Sequence, residues 1–476
     1  MSFQSYSFFV FLAVTLAVVL FLARRGPRWA VPALGLASLV SYAAGAGIPG
    51  LFVLLGGTAV SGLAVRWSCA PGRSSKERKR ILLLAAGYQI LVLLVFKYTG
   101  FLTGGAVTVG WIPLGLSFFT FQQLWMLKET WSGNFRPASW RELVLFSFFF
   151  PTVTSGPILK AGDFFSQLRG EHFLHPTWQD AAAGLYAIAV GTMKKVLLAD
   201  AFGVIVNNGW SRLGELTAPG AWLVILGYTF QLYFDFSGYC DIAAGLGRLL
   251  GLRLPQNFNS PYQSRSVGEF WKRWHITLTS FLRECLYFPL GGSRKGAARA
   301  YLNIMIVFLV SGFWHGAGWT FLIWGGLHGL AQIAERALGS RRERLPGWVR
   351  WGMTFLFVNL AWVFFRAPDV AGALVLLRTA VLGGFASPEA WLLTGLYAKE
   401  TAAVELILPA LKPWSSILRV LLLYGAGALA TAMPKNTIQK MEDFRPAAWK
   451  AVLLALGVAW SVLSFGGIST FIYSNF

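Results

Sequence analysis

Residues 8–23 (FFVFLAVTLAVVLFLA) form an unbroken apolar run with no Lys or Arg before it and Arg24, Arg25 and Arg28 after it. That charge order is the reverse of a cleavable leader, so the run predicts a retained first span with its N-terminus outside. Two further apolar stretches, near 30–47 and 51–65, lead into Arg66, Arg73, Lys76, Arg78, Lys79 and Arg80, opposed only by Glu77, which places that loop in the cytoplasm. More apolar segments follow near 81–99, 111–127, 181–206, 219–238, 300–314, 316–338, 350–366, 416–433 and 450–472. Several fall short of the roughly 20 residues needed to cross a bilayer, and those at 141–153, 239–251, 278–290 and 401–411 are shorter still. Non-spanning backbone at membrane depth requires protein or water around it, so these pieces predict re-entrant or interfacial helices and a cavity within the bundle. The expected fold is therefore all-α: a polytopic integral membrane protein of about 11 to 12 transmembrane helices plus short re-entrant or interfacial helices around a central cavity. One domain covers 1–476, with N-terminal spans in 1–110, a core in 111–370 and C-terminal spans in 371–476. No internal repeat is visible, which argues against the inverted-repeat plan of many transporters.

Composition sharpens this picture. Hydrophobic residues make up 55% of the 476 positions and charged residues only 13%, too little polar surface to cover soluble cores. Three cysteines (Cys69, Cys240 and Cys285) do not build a disulfide framework. The net charge of +21 comes from basic residues spread over many short loops, a pattern of cytoplasmic anchoring and contact with anionic lipid, with no patch for nucleic acid. The region 252–298 carries seven basic residues and two acids, yet Phe270, Trp271, Trp274, Leu278, Phe281 and Leu282 recur in it at helical spacing. It predicts an amphipathic segment in the interface or dipping inward.

Candidate chemistry centres on the histidines. His172 and His175 lie in a polar connection, GEHFLHPTW, with Glu171 as the only acid among them and no cysteine, a weak pattern for a metal pair, so a solvated loop is expected there. His315 and His328 lie in SGFWHGAGWTFLIWGGLHGL, which carries no Asp, Glu, Lys or Arg, and an intramembrane polar group is a functional hypothesis by default. Gly312, Gly316 and Gly318 surround His315, where the helix can break or a ligand can approach; the alternative is an imidazole that hydrogen-bonds a neighbouring helix. His328 reads as a packing or hydrogen-bonding residue, and His275 as an interfacial anchor or a group reaching the same cavity. Asp235 and Asp241 either pair with Arg248 or Arg253, or Asp235 orients an imidazole or binds a substrate hydroxyl. The GGSRKG stretch at 291–296 offers a weak phosphate cradle through its backbone, Arg294 and Lys295. Nucleotide-binding loops, a nucleophile elbow and a zinc-protease helix are not seen.

Longer blocks then point to a family. YTFQLYFDFSGYCDIAAGLGRLLGLRLPQNFNSPY, EFWKRWHITLTSFLRECLYFPLGGSRKG and SGFWHGAGWTFLIWGGLHG resemble the membrane-bound O-acyltransferase superfamily, in its bacterial alginate O-acetylase branch. IPLGLSFFTFQQ (112–123), FFPTVTSGPILKAGDFFSQL (149–168), GTMKKVLLAD (191–200) and LAWVFFRAPD (360–369) resemble the same family in the same order. After FFTFQQ the branch commonly shows an acidic residue in a short helix, whereas this chain reads Lys128 and Glu129. The resemblance implies a ring of tilted helices around a tunnel where a cytoplasmic acyl thioester, acetyl-CoA or similar, meets an acceptor from the other face, with no bound cofactor. It implies His315 and His275 as catalytic residues; substrate-binding roles are expected beside them for Asp235 and Trp314, and for Arg273, Arg294 and Lys295, which the positive-inside rule places on the donor's side. It further implies O-acetylation of an exported polysaccharide such as alginate in the bacterial inner membrane, with periplasmic acetyl-transfer proteins as partners. D-alanyl transfer to teichoic acid or lipid, and a non-enzymatic flippase or channel, are the competing expectations.

Overall fold

The computed structural model describes residues 5–135, 138–464 and 471–472, and among them every regular element is helical. The chain runs through α1 (Tyr6–Ala23), α2 (Pro27–Ser68), α3 (Ser75–Leu93), α4 (Thr99–Leu102), α5 (Leu116–Ser132), α6 (Trp140–Phe148) and α7 (Ala161–Leu168). Next come α8 (Trp178–Met193), α9 (Asp200–Ser211), α10 (Ala218–Leu249), α11 (Val267–Arg273), α12 (Ile276–Leu282), α13 (Ala297–His315) and α14 (Trp319–Leu338). The last six are α15 (Gly347–Arg366), α16 (Val370–Leu382), α17 (Ala398–Ile407), α18 (Ser415–Ala432), α19 (Thr437–Glu442) and α20 (Ala448–Leu463). Helix starts are written locally. Ser74 with Glu77, Ser139 with Glu142 and Thr177 with Asp180 each exchange side-chain and backbone hydrogen bonds across the first turn, satisfying donors that the helix cannot.

Among the described residues six helices are long and apolar enough to cross a membrane: Tyr6–Ala23, Arg28–Ser68, Ser75–Leu102, Ala297–His315, Gly347–Arg366 and Pro409–Ala432. Val370–Leu382 and Ala448–Leu463 are shorter apolar helices. The protein is thus a polytopic membrane protein. The count by hydropathy is smaller than the 11 to 12 spans expected from sequence for identifiable reasons. The stretches at 30–47 and 51–65 form one helical element, α2, broken at Gly47 (φ 73°, ψ 169°) with Pro49 behind the break. The segments at 219–238 and 239–251 are the single helix α10, and α10 faces protein on nearly all sides while carrying Asp235, Asp241 and Arg248. Helix α16 had no counterpart among the expected segments. Of the expected segment 450–472, α20 accounts for Ala448–Leu463, and 465–470 lie outside the described residues.

α10 is the central post, packed by α8, α9, α15 and α16. Small residues let α8 approach it to backbone contact. A Cβ added at Gly191 would stand 2.6 Å from the Gly238 carbonyl oxygen, and one at Gly245 would stand 2.5 Å from that of Gly184. Seven-residue spacing on both helices makes this an extended seam of the kind that packs helices in lipid, where lipid tails offer no hydrophobic drive toward association. Replacing Gly238 by Leu should therefore cost about 1–3 kcal/mol or more through overpacking. Size-exclusion profiles and thermal melts in detergent should show loss of the folded species for Gly238→Leu. Gly87→Leu, at a position where an added Cβ meets nothing within 4 Å, should behave as the parent.

Candidate active site

α13 ends at His315 because Gly316 takes an extended conformation (φ −164°, ψ 149°), and α14 restarts at Trp319. The two helices form a tight hairpin: a Cβ on Gly312 would lie 2.3 Å from the Phe321 carbonyl oxygen. Ending a helix inside a membrane protein leaves backbone carbonyls that need donors. They are supplied by residues that sequence reasoning passed over. Lys97 Nζ donates to the Trp314 carbonyl at 2.5 Å, the His315 carbonyl at 3.3 Å and the Ser117 hydroxyl at 3.1 Å, and Tyr98 Oη donates to the Phe313 carbonyl at 2.7 Å. Both donors stand in a π-helical stretch, Leu94–Tyr98, that continues α3.

His275 occupies the break between α11 and α12 and has left-handed backbone angles (φ 44°, ψ 54°). A non-glycine residue held there costs on the order of 1–3 kcal/mol and persists only where its surroundings impose it. Asn257 imposes it: its carbonyl accepts from Ile276 N at 3.0 Å, and its side-chain oxygen accepts from Thr277 N at 3.1 Å and Thr277 Oγ1 at 2.7 Å. The Asn259 amide adds a bond to the Arg273 carbonyl at 2.9 Å. Ile158 N donates to Thr277 Oγ1, tying the 149–168 block to the same knot.

The two histidines meet the same indole. The ring centroids of His275 and His315 lie 6.2 Å and 4.7 Å from that of Trp314, both edge-on, while Trp314 stacks on Phe121 at 4.9 Å and donates through Nε1 to the Ser117 carbonyl. Phe118 and Phe236 pack on His275, Trp324 and Phe365 on His315, and both imidazoles are buried. Water-excluding rings around two bases suit chemistry on a hydrolysable intermediate. His328 accepts from Trp271 Nε1 at 3.1 Å, the hydrogen-bonding role expected of it, and His172 and His175 are exposed in their loop.

The other candidates are dispersed. The carboxylates do not pair with Arg248 or Arg253: Asp235 binds Lys195 Nζ at 2.6 Å and Asp241 binds Lys194 Nζ at 2.7 Å, while Arg248 pairs with Asp180 and Glu442. The lysines stand in a second π-helical stretch, Lys194–Ala199, and both reach carboxylates of α10. Asp235 also accepts from the Ile472 amide, and Lys195 is shared with Asp200. Arg294 and Lys295 are exposed in the turn before α13, whose Gly292 carbonyl is held by Asn303 Nδ2. That turn does not join the cavity of 520 Å³ that Arg273 lines with Arg265, Arg342 and Arg350. Lys128 and Glu129 bind Glu284 and the Gly162 amide respectively. A cavity of 890 Å³ lies beside α8 and among α17–α20, lined by Lys194, Tyr233, Glu400 and Arg419 together with many apolar residues, and neither His275 nor His315 lines it.

The model of the MBOAT, membrane-bound O-acyltransferase family, matches residues 124–368, which include both histidines. The chain is 40% identical over 299 residues to a peptidoglycan O-acetyltransferase of Helicobacter pylori, covering 57% of each chain. It is 38% identical over 319 residues to a probable alginate O-acetylase of Pseudomonas putida, covering 63% of this chain and 64% of that one. A teichoic acid D-alanyltransferase of Streptococcus thermophilus is 28% identical over 289 residues, 57% of this chain and 68% of that protein. The matched region spans about three fifths of the length of the two acetylating relatives. With its family region accounting for half of the sequence and enclosing the paired histidines, the chain belongs to the membrane-bound O-acyltransferase family.

Proposed function

We propose that the protein is a membrane O-acyltransferase that moves acetyl groups from a cytoplasmic acyl thioester toward an exported polysaccharide. The observation that carries this reading is the convergence of His275 and His315 on Trp314 inside a closed aromatic enclosure. His315 takes the proton from the acceptor hydroxyl as its oxygen attacks the thioester carbonyl; the C–O bond forms, the C–S bond breaks, and the proton passes to the departing thiolate. His275, fixed in its left-handed turn, orients the reacting groups and supplies a second imidazole to the developing charge. Acetyl is favoured over D-alanyl because the two acetylating relatives match at 40% and 38% identity against 28% for the D-alanyltransferase. The names of the acetylating relatives put alginate-like polysaccharide and peptidoglycan forward as acceptor classes. Periplasmic acetyl-transfer proteins complete the relay, and lipid contacts the basic loops. The protein sits in the bacterial cytoplasmic membrane with its N-terminus outside and the loops at 66–80 and 339–349 in the cytoplasm, as their Arg and Lys content dictates.

Three experiments follow. In a labelled-acetyl transfer assay on purified protein, His315→Ala should lower the rate by about 10² to 10⁴ while expression and melting stay normal, and His275→Ala should lower it substantially. Near-parental transfer by a well-folded His315→Ala protein would remove the central assignment. Lys97→Met should loosen the end of α13 and reduce kcat by about a hundredfold, as displacements near 1 Å do, with a smaller change in KM and partial rescue by Lys97→Arg. Equal kcat in Lys97→Met and parent would show that the α13 terminus is positioned without it. For orientation, Lys76→Cys in intact cells should resist an impermeant thiol reagent and react only after permeabilisation; efficient labelling of intact cells would invert the topology.

A further inference from the structure

We propose that Arg265, Arg273, Arg342 and Arg350 form a binding site for a phosphate-bearing ligand. The four side chains come from the stretch before α11, the end of α11, the 339–344 turn and the first turn of α15, and line one cavity of 520 Å³. Its only acidic lining residue is Glu269, and Glu335 reaches Arg342 from just outside the lining, so four guanidiniums face two carboxylates. Glu269 is engaged by Arg273 at 2.8 Å, and Arg342 is engaged at 3.2 Å by Glu335. Glu335 also accepts from the amides of Val267 and Gly268, so the start of α11 already has its anion and the arginines remain for another. Arg265 and Arg350 have no carboxylate partner among the described residues. The Arg350 Nε is buried without a hydrogen-bond partner there, and Arg265 lies across Gly347, where an added Cβ would come 3.3 Å from its Nη1. Several guanidiniums with spare donors in a polar recess are the arrangement that recognises phosphate by paired, charge-assisted bonds. Such a cluster of like charge is stabilised when an anion occupies it.

Two ligands bring this chemistry to the cytoplasmic side: the phosphorylated nucleotide end of an acyl thioester, and the headgroup of an anionic lipid. The first source rests on the acyl-transfer reading; the phosphate site itself does not. Arg273 stands two residues before His275, so a donor handle bound there lies on the segment that carries one of the two imidazoles.

The test uses the full chain in nanodiscs of neutral lipid, with Arg265→Gln/Arg350→Gln as the variant because neither residue leaves a carboxylate unpaired. Adenosine 3′,5′-bisphosphate is the probe for the nucleotide end, and phosphatidylglycerol, titrated into the nanodisc, the probe for a headgroup. Weakening of bisphosphate binding by about tenfold or more in the variant, with part of it restored in Arg265→Lys/Arg350→Lys, would support the site and assign it to the donor. Loss of phosphatidylglycerol binding with no bisphosphate binding in the parent would support the site and assign it to lipid. Binding of both probes unchanged in a folded variant, or absent in the parent, would overturn it. Because these readouts involve no turnover, the site can stand where His315-dependent transfer fails, and fail where that transfer stands.

Discussion

A helix that stops inside a membrane protein must find donors for its last carbonyls, and at the end of α13 that requirement organises the candidate site. Carbonyls buried there without donors would each cost on the order of 1–3 kcal/mol. Lys97 and Tyr98 meet the requirement from α3's continuation, and Trp314, whose carbonyl Lys97 holds, is in turn anchored to the Ser117 carbonyl of α5. Three distant stretches of sequence are thereby locked around His315. The Gly312 approach to Phe321 then fixes the other side of the imidazole by joining α13 to α14.

Similar logic governs the charges inside the bundle. Lys97, Lys194, Lys195 and Glu284 all stand in π-helical stretches, at Leu94–Tyr98, Lys194–Ala199 and Arg283–Tyr287. In the stretch Lys194–Ala199 the adjacent Lys194 and Lys195 serve two carboxylates on the same partner, Asp241 and Asp235 of α10. Removing one member of such a pair would leave a buried charge uncompensated, which is far costlier than the pair is stabilising. Asp235 therefore belongs first to the frame that holds α10 against Lys195 in the continuation of α8.

What could be read from the chain, and what could not, divides along this line. The apolar runs of α1, α13 and α14, the polar loop around His172 and His175, and the prominence of His315 among small and aromatic residues are local properties, and they were legible. The continuity of α10 was not: Ser237, Gly238 and Tyr239 look like a break until Gly238 is seen to admit the backbone of α8. The change from 3.6 to π spacing leaves no mark on hydrophobic periodicity, so the convergence of Lys97 with Tyr98 was invisible, although a lysine inside an apolar run was itself a signal of an intramembrane function. Arg294 and Lys295 were singled out by a Gly-rich basic pattern, whereas the arginines that actually share a cavity with Arg273 are scattered from 265 to 350 and unite only through folding.

The segment from Asn257 to Thr277 joins these themes. Its amphipathic aromatics were readable as helix, but the break at His275 is set by tertiary contacts, because nothing in WHIT demands a left-handed residue. The strain stored there is held by three bonds from Ile276 and Thr277 to Asn257 and one between Asn259 and Arg273. Their combined contribution, at about 1 kcal/mol each, is comparable to or larger than the cost of the strained backbone. Arg273 thus has its backbone in the clamp on His275 and its guanidinium in the arginine cavity. Whatever fixes Arg273 also fixes the chain two residues ahead, so the geometry of the imidazole and the occupancy of the cavity are constrained by one short piece of polypeptide.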